Sequence, residues 1–268
     1  MEAQEKLKQA GKAALTRLHL YSKYRYLRRF QMNAKVRKKA LTEYGLRFTA
    51  DSNISEVIGE RIYTSFRDFM PKASDTVYDV GAQHGDYSLL CAFFGADVHA
   101  FEPLKKNLTI FNKNIEKNIK LFRRNLKLNR IPGQLIYLNG EAVGDKLDVI
   151  EIPYDEEMAG IDGKSREHVG MTTIDHYTSI SESHPTILKI DVEGFELQVL
   201  KGAAETLKRY HPKIIIETHS SQLEAECLKY LADFGYKVIH TGRITQNKGW
   251  MDKVTNLFLA SEEKTVGV

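Results

Sequence analysis

Short apolar runs bounded by glycine, proline or polar positions recur along this chain. Residues 76–80, 98–101, 134–138, 187–190, 214–217, 237–240 and 256–260 read as strands. Longer stretches between them carry apolar positions at helical spacing. Tyr87, Leu89, Leu90 and Phe93 open one such face. Another, with Leu223, Cys227, Leu228 and Leu231, is predicted to begin near Ser221, where Glu224 three residues on makes a capping-box pattern. Strands alternating with helices predict an α/β fold, a doubly wound Rossmann-like sheet of seven strands in which the strand ends are left for chemistry. Residues 148–154 and 171–177 are predicted as short extra strands around the polar segment 155–170. That insertion would overhang the carboxyl edge and shape a pocket.

The first run ends in Asp79-Val-Gly81-Ala82-Gln-His-Gly85, a glycine turn between strand and helix where the backbone can approach a ligand and present its N–H groups. One strand later, Phe101-Glu102-Pro103 ends in a carboxylate at the distance where such folds bind a ribose diol. Together they fit an adenosine-containing ligand. The turn lacks the second glycine of a dinucleotide fingerprint, which disfavours NAD and its pyrophosphate. S-adenosylmethionine has no phosphate and needs only ribose, adenine and amino-acid contacts. Asp79, Gly81, Ala82 and Gly85 are expected at its methionine end and Glu102 at its ribose.

At Leu188-Lys-Ile-Asp-Val-Glu-Gly-Phe-Glu196 the chain resembles a known family. Asp79-Val-Gly-Ala82 with Gly85, Phe101-Glu-Pro103, residues 125–129, Val199-Leu-Lys-Gly-Ala203 and Ile216-Glu-Thr-His219 match in order, and the sequence is similar to the FkbM S-adenosylmethionine-dependent methyltransferases over roughly residues 76–260. The resemblance implies the seven-stranded methyltransferase fold and methylation of oxygen on sugars, polyketides or related small molecules. It departs at Gln83-His84, where the family often has Asn and an apolar residue. In this fold the segment after the third strand usually supplies adenine contacts, making Glu141 and Ala142 candidates.

The acceptor is expected at the ends of the fourth and fifth strands. There Asp191, Glu193, Glu217 and His219 gather carboxylates and an imidazole, enough for a general base. Asp191, Glu217 and His219 are the candidate catalytic residues, and the same three offer oxygen and nitrogen ligands for a divalent metal. Glu196, in a first helical turn, reads as an offset to the helix dipole.

With 268 residues, one large domain at 51–268 with a basic, mainly helical extension at 1–50 is the natural partition. Cys91 and Cys227 fall on apolar helical faces without metal-ligand spacing and read as buried free thiols, which points to a reducing cytosol. Residues 1–47 hold thirteen Lys and Arg against three Glu, a surplus of ten in a chain of net charge +4. Tyr21, Tyr24, Tyr26, Leu27 and Phe30 lie among those cations. Such an arm suits packing on the domain, peripheral attachment to an anionic membrane, or nucleic acid. Three function classes follow: an O-methyltransferase acting on a small molecule or glycan, a nucleic-acid methyltransferase using the basic arm, and a non-catalytic binding or membrane-associated protein on the same fold. The fourth strand ends in Asp191-Val-Glu-Gly rather than an Asn/Asp-Pro-Pro-Tyr/Phe motif of amino methylation, and this favours the first.

Overall fold

The computed structural model describes residues 34–50, 52, 54–129, 136–154, 165–246 and 252–261. The aromatic positions 21–30 of the basic arm and most of the segment 155–170 lie outside the described residues. The central sheet has seven strands: β1 (Thr76–Val80), β2 (Asp97–Phe101), β3 (Ile136–Asn139), β7 (Ile187–Ile190), β8 (Lys213–Thr218), β9 (Tyr236–Gln246) and β10 (Lys253–Ser261). Their order is β3-β2-β1-β7-β8-β10-β9. β1, β2, β3, β7 and β8 pair in parallel, and β10 runs antiparallel between β8 and β9. Strand order reverses between β1 and β7, the switch point at which doubly wound sheets open a crevice.

Successive strand residues feed opposite faces, so both sides of the sheet need cover. Val77, Val98, Ile187, Ile215 and Phe258 join the core formed with α2 (Asp86–Phe93) and with Phe111 and Phe122 of α3 (Lys105–Asn129). Tyr78, Leu188, Ile190, Ile214, Ile216 and Leu257 face a second core. It is closed by α5 (Glu196–Lys201), α6 (Ala204–Tyr210) and α7 (Ser221–Ala232). Cys91 and Cys227 are buried and free.

Part of the predicted extension belongs to the first core. Helix α1 (34–44) leads to Leu46 and Phe48, and Ala40, Leu46 and Phe48 are buried there. Asn118 of α3 clamps this strip, accepting from the Arg47 N–H at 2.8 Å and donating to the Arg47 carbonyl at 2.7 Å. A π-helical turn, Ser55–Glu60, and a 3-10 turn, Arg67–Phe69, continue toward the sheet.

Two local expectations are corrected. Residues 171–177 are not one strand: β6 (Ser165–Thr172) stops and α4 (Ile174–Ser181) begins. Thr173 caps α4 by accepting the His176 N–H at 3.0 Å, and Ile174 and Tyr177, both buried, sit at helical rather than alternating spacing. The cap of α7 is Ser220, which accepts from Leu223 N at 3.1 Å, while the Ser221 hydroxyl donates to Asp252 at 2.6 Å. The first strand of the expected insertion, 148–154, forms where the sequence predicts it. β4 (Ala142–Val143), β5 (Asp148–Tyr154) and β6 make a three-stranded sheet, and Ile150, Glu151, Ile152 and Pro153 of β5 wall the crevice. None of the described helices is long and apolar enough to cross a membrane.

Candidate active site

A cavity of about 750 Å³ opens at the carboxyl ends of β1, β2 and β7. It lies in the range typical of small-molecule sites, about 300–1,000 Å³. The turn after β1 forms its floor. Gly81 has φ +78°, and a Cβ there would stand 1.8 Å from the Asp191 carbonyl oxygen, so glycine is what lets the β1 turn press against the end of β7. The expectation that ligand sits against the turn's N–H groups is corrected: Gly81 and Ala82 donate to the Phe101 carbonyl at 3.0 Å, Gln83 to Glu102 at 2.9 Å and Gly85 to Ala82 at 2.8 Å. Donors spent this way do not cradle a pyrophosphate. Gly81 and Ala82 line the cavity. Gly85 does a different job, since its Cβ would stand 2.0 Å from the Phe111 ring, so it seats α2 on α3.

Glu102 follows β2 and is 4% exposed. Its Oε2 accepts from Gln83 N at 2.9 Å, and its Oε1 from Leu104 N at 2.9 Å and the Asn107 amide at 3.1 Å. Burial raises its pKa, and those three donors offset the rise. The carboxylate is thus fixed at the cavity wall with acceptor capacity remaining for the two hydroxyl donors of a ribose diol. Glu141 and Ala142 line the same cavity beside it.

Asp79 is fully buried and engaged within the protein. Its Oδ2 accepts from the Ser88 hydroxyl at 2.6 Å and its Oδ1 lies 3.0 Å from Lys189 Nζ. Lys189, 2% exposed, also donates to the Gly81 carbonyl at 2.9 Å and stands 3.7 Å from Asp191 Oδ2. Burial alone would lower the Lys189 pKa, but the charges of Asp79 and Asp191 outweigh it and hold the ammonium above its usual value. Beside them Asp86, raised to about 7 by burial and by the Asp79 charge, lines the cavity. Sequence reasoning missed Lys189, although a lysine inside an apolar parallel strand has to be paired.

Asp191, Glu217 and His219 do converge. One ligand atom from each lies within 4.8 Å of the others. His219 Nε2 is 3.7 Å from Asp191 Oδ1, 3.8 Å from Glu217 Oε1 and 3.4 Å from Glu193 Oε2. Glu196, which the sequence reading gave to the helix dipole, is fully buried and bonds His219 Nδ1 at 2.7 Å. Burial would lower the imidazole pKa, but the Glu196 bond and the charges of Glu196, Glu193 and Asp191 raise it to about 9. Burial, with the Asp191 charge, lifts Glu217 to about 7, although Asn256, His219 and Arg243 temper the rise.

Tyr63, also missed, comes from the segment ahead of the sheet. Its hydroxyl donates to Asp191 Oδ2 at 2.6 Å and lies 3.4 Å from Glu217 Oε2, with its pKa pushed well up by burial and by those carboxylates. Arg243 of β9 reaches the same rim, its guanidinium 3.0 Å from Glu56, 3.1 Å from Glu60 and 3.9 Å from Glu217 Oε1.

Residues 79–238 match the family model described as the methyltransferase FkbM domain. Over 201 residues the chain is 28% identical to the hexuronic acid methyltransferase AglP of Haloferax volcanii, covering 71% of this chain and 77% of that protein. A crystal structure of methyltransferase FkbM from Methylobacillus flagellatus KT aligns at 22% identity with a TM-score of 0.49, over 69% of this chain and 44% of its own length. A methyltransferase from Pyrococcus furiosus aligns at 15% identity with a TM-score of 0.49, over 86% and 96%.

Proposed function

Because the chain belongs to the FkbM methyltransferase family, and so is a methyltransferase, we propose that it transfers the methyl of S-adenosylmethionine to a hydroxyl of a sugar or glycan. The observation that carries this reading is one continuous cavity with a ribose-type carboxylate, Glu102, at one end and the ionisable rim of Asp191, Glu193 and Glu217 at the other. The relative from Haloferax volcanii, named for a hexuronic acid, supports a sugar acceptor.

S-adenosylmethionine, when bound, supplies a methyl group already activated on a sulfonium. The protein's part is then to orient and to move one proton. Glu102 accepts both ribose hydroxyls, and Glu141 and Ala142 flank the adenine. Gly81 and Ala82 give close approach to the amino-acid end, and Asp86 answers its ammonium. Asp79 acts through Lys189, fixing the Gly81 carbonyl and hence the turn. At the rim, Asp191, held by Tyr63, orients the acceptor hydroxyl, and His219, held by Glu196, stabilises the neighbouring carboxylates. Glu217, at about 7, takes the hydroxyl proton; a base with a pKa close to the working pH combines basicity with availability.

The test is incubation of full-length protein with S-adenosylmethionine and pools of sugars, lipid-linked glycans and RNA, reading release of S-adenosylhomocysteine. Turnover confined to sugar-containing pools is expected. Turnover on RNA alone would replace the reading with the nucleic-acid alternative.

A further inference from the structure

The three rim side chains share an arrangement that proton removal does not require: each is tied down from behind by one atom and turns its other atom inward. Asp191 Oδ2 accepts from Tyr63 at 2.6 Å, leaving Oδ1 toward His219 at 3.7 Å. Glu217 Oε2 accepts from the amide of Asn256, leaving Oε1 toward the same nitrogen at 3.8 Å. His219 Nδ1 is engaged by Glu196 at 2.7 Å. Its Nε2 makes no hydrogen bond to a described residue, although the side chain is only 4% exposed. That nitrogen stands among three carboxylate oxygens, those of Glu193 at 3.4 Å, Asp191 at 3.7 Å and Glu217 at 3.8 Å, and is hydrogen-bonded to none of them.

The neighbouring cations do not fill the gap. Lys189 lies on the tied-down side of Asp191 and is engaged by Asp79 and the Gly81 carbonyl. Arg243 is held by Glu56 and Glu60 and stays 3.9 Å from Glu217 Oε1. Imidazole and carboxylate donors at about 2.0–2.6 Å from one ion would stand roughly 3–4 Å apart, close to the separations found here. A ligating imidazole whose other nitrogen is bound by a buried carboxylate is the usual outer support of a metal site.

We propose that Asp191 Oδ1, Glu217 Oε1 and His219 Nε2 form a binding site for one divalent cation of the Mg²⁺ or Mn²⁺ class, which chelates two adjacent oxygens of the acceptor. The two carboxylates suit such ions, the imidazole favours the Mn²⁺ end of that class, and three protein donors leave coordination positions open. This inference rests on the reading that the acceptor sits at this rim; it refines Glu217 from base to ligand and His219 from a partner of the carboxylates to a ligand whose Nε2 proton the ion displaces to solvent. Coordination acidifies the bound hydroxyl. The proton then passes to Glu193, whose Oε2 lies 3.4 Å from His219 Nε2 and whose side chain is 73% exposed. The acceptor class follows: a vicinal diol or a hydroxy-carboxylate, a uronate included. In a pocket walled by Glu56, Glu141, Glu193 and Glu217, a bridging cation would offset the repulsion that an anionic sugar meets.

The test titrates Mn²⁺ into full-length protein, following loss of the free-ion electron paramagnetic resonance signal. One site per chain is expected. Glu196→Gln, which alters no ligand atom, should weaken Mn²⁺ binding by roughly 10–100-fold, the usual effect of removing an outer support. His219→Gln should weaken it at least as much, and S-adenosylhomocysteine affinity should change less than about twofold in both, which also reports that they fold. A wild-type dissociation constant above about 1 mM, or a Glu196→Gln affinity equal to wild type, overturns the cation site. Full methyl transfer to a sugar by chelator-treated protein overturns it while sparing the proposed reaction. Tight Mn²⁺ binding with no transfer to any sugar sinks the reaction and leaves the cation site standing.

Discussion

Lys189→Met is the most informative single perturbation of the fold beneath the site. The replacement keeps nearly the same volume and flexibility, so it removes the charge with little cavity. What remains is Asp79, fully buried, with the Ser88 hydroxyl at 2.6 Å as its partner. Two unit charges at the 3.0 Å of Asp79 Oδ1 and Lys189 Nζ attract by about 5–6 kcal/mol at an effective dielectric of about 20. Desolvation consumes part of that in the intact pair, but stranding one partner typically costs about 3–5 kcal/mol. Out of a total stability of about 5–15 kcal/mol, such a loss should lower the melting temperature by roughly 6–20 °C. Urea unfolding followed by far-ultraviolet circular dichroism reads the loss. The double variant Asp79→Asn/Lys189→Met removes both charges and should regain at least half of it. A loss below about 1 kcal/mol, or a double variant no more stable than Lys189→Met, would refute the buried pair as the brace of the turn.

Three further outcomes are expected. Glu102→Ala should weaken S-adenosylmethionine binding by roughly tenfold or more by calorimetry, about 1.5–3 kcal/mol for each charge-assisted hydrogen bond lost, with NAD giving no heat in either protein. Whether as base or as cation ligand, Glu217 acts in its ionised form, and it is raised to about 7; activity should therefore fall as pH drops through 7, and Glu217→Gln should remove this limb and lower kcat by roughly 10²–10⁴-fold. Deleting the first 33 residues, which carry much of the basic surplus, should abolish salt-sensitive binding to anionic vesicles if the arm is an anchor; a lowered melting temperature without any vesicle binding would make it packing instead.

The sheet was legible because its strands are buried on both faces. The apolar runs at 76–80 and 187–190 gave their boundaries to the residue. The run at 237–240 undershot, since β9 extends to Gln246 through polar positions at an open sheet edge. The rim residues were legible from the strand ends that carry them. Their supports were not. Tyr63 is 128 positions from Asp191 and reaches it only because the Ser55–Glu60 turn packs on the first core. Glu196 looked like a dipole offset because its partner, His219, lies 23 positions away across the sheet end. Asp79, expected at the cofactor, does line the cavity, but its engagement by Lys189 was not legible, because periodicity ignores a lysine inside an apolar strand.

The central claim, methyl transfer to a sugar oxygen, is tested most directly by supplying S-adenosylmethionine labelled with ¹³C in its methyl group and a uronate- and hexose-containing glycan pool. The product is then read by nuclear magnetic resonance. A labelled methyl ether on a ring hydroxyl, made by the wild type and not by Glu217→Gln, is the predicted result. Label appearing on nitrogen or carbon, or as an ester of a uronate carboxyl, would contradict it.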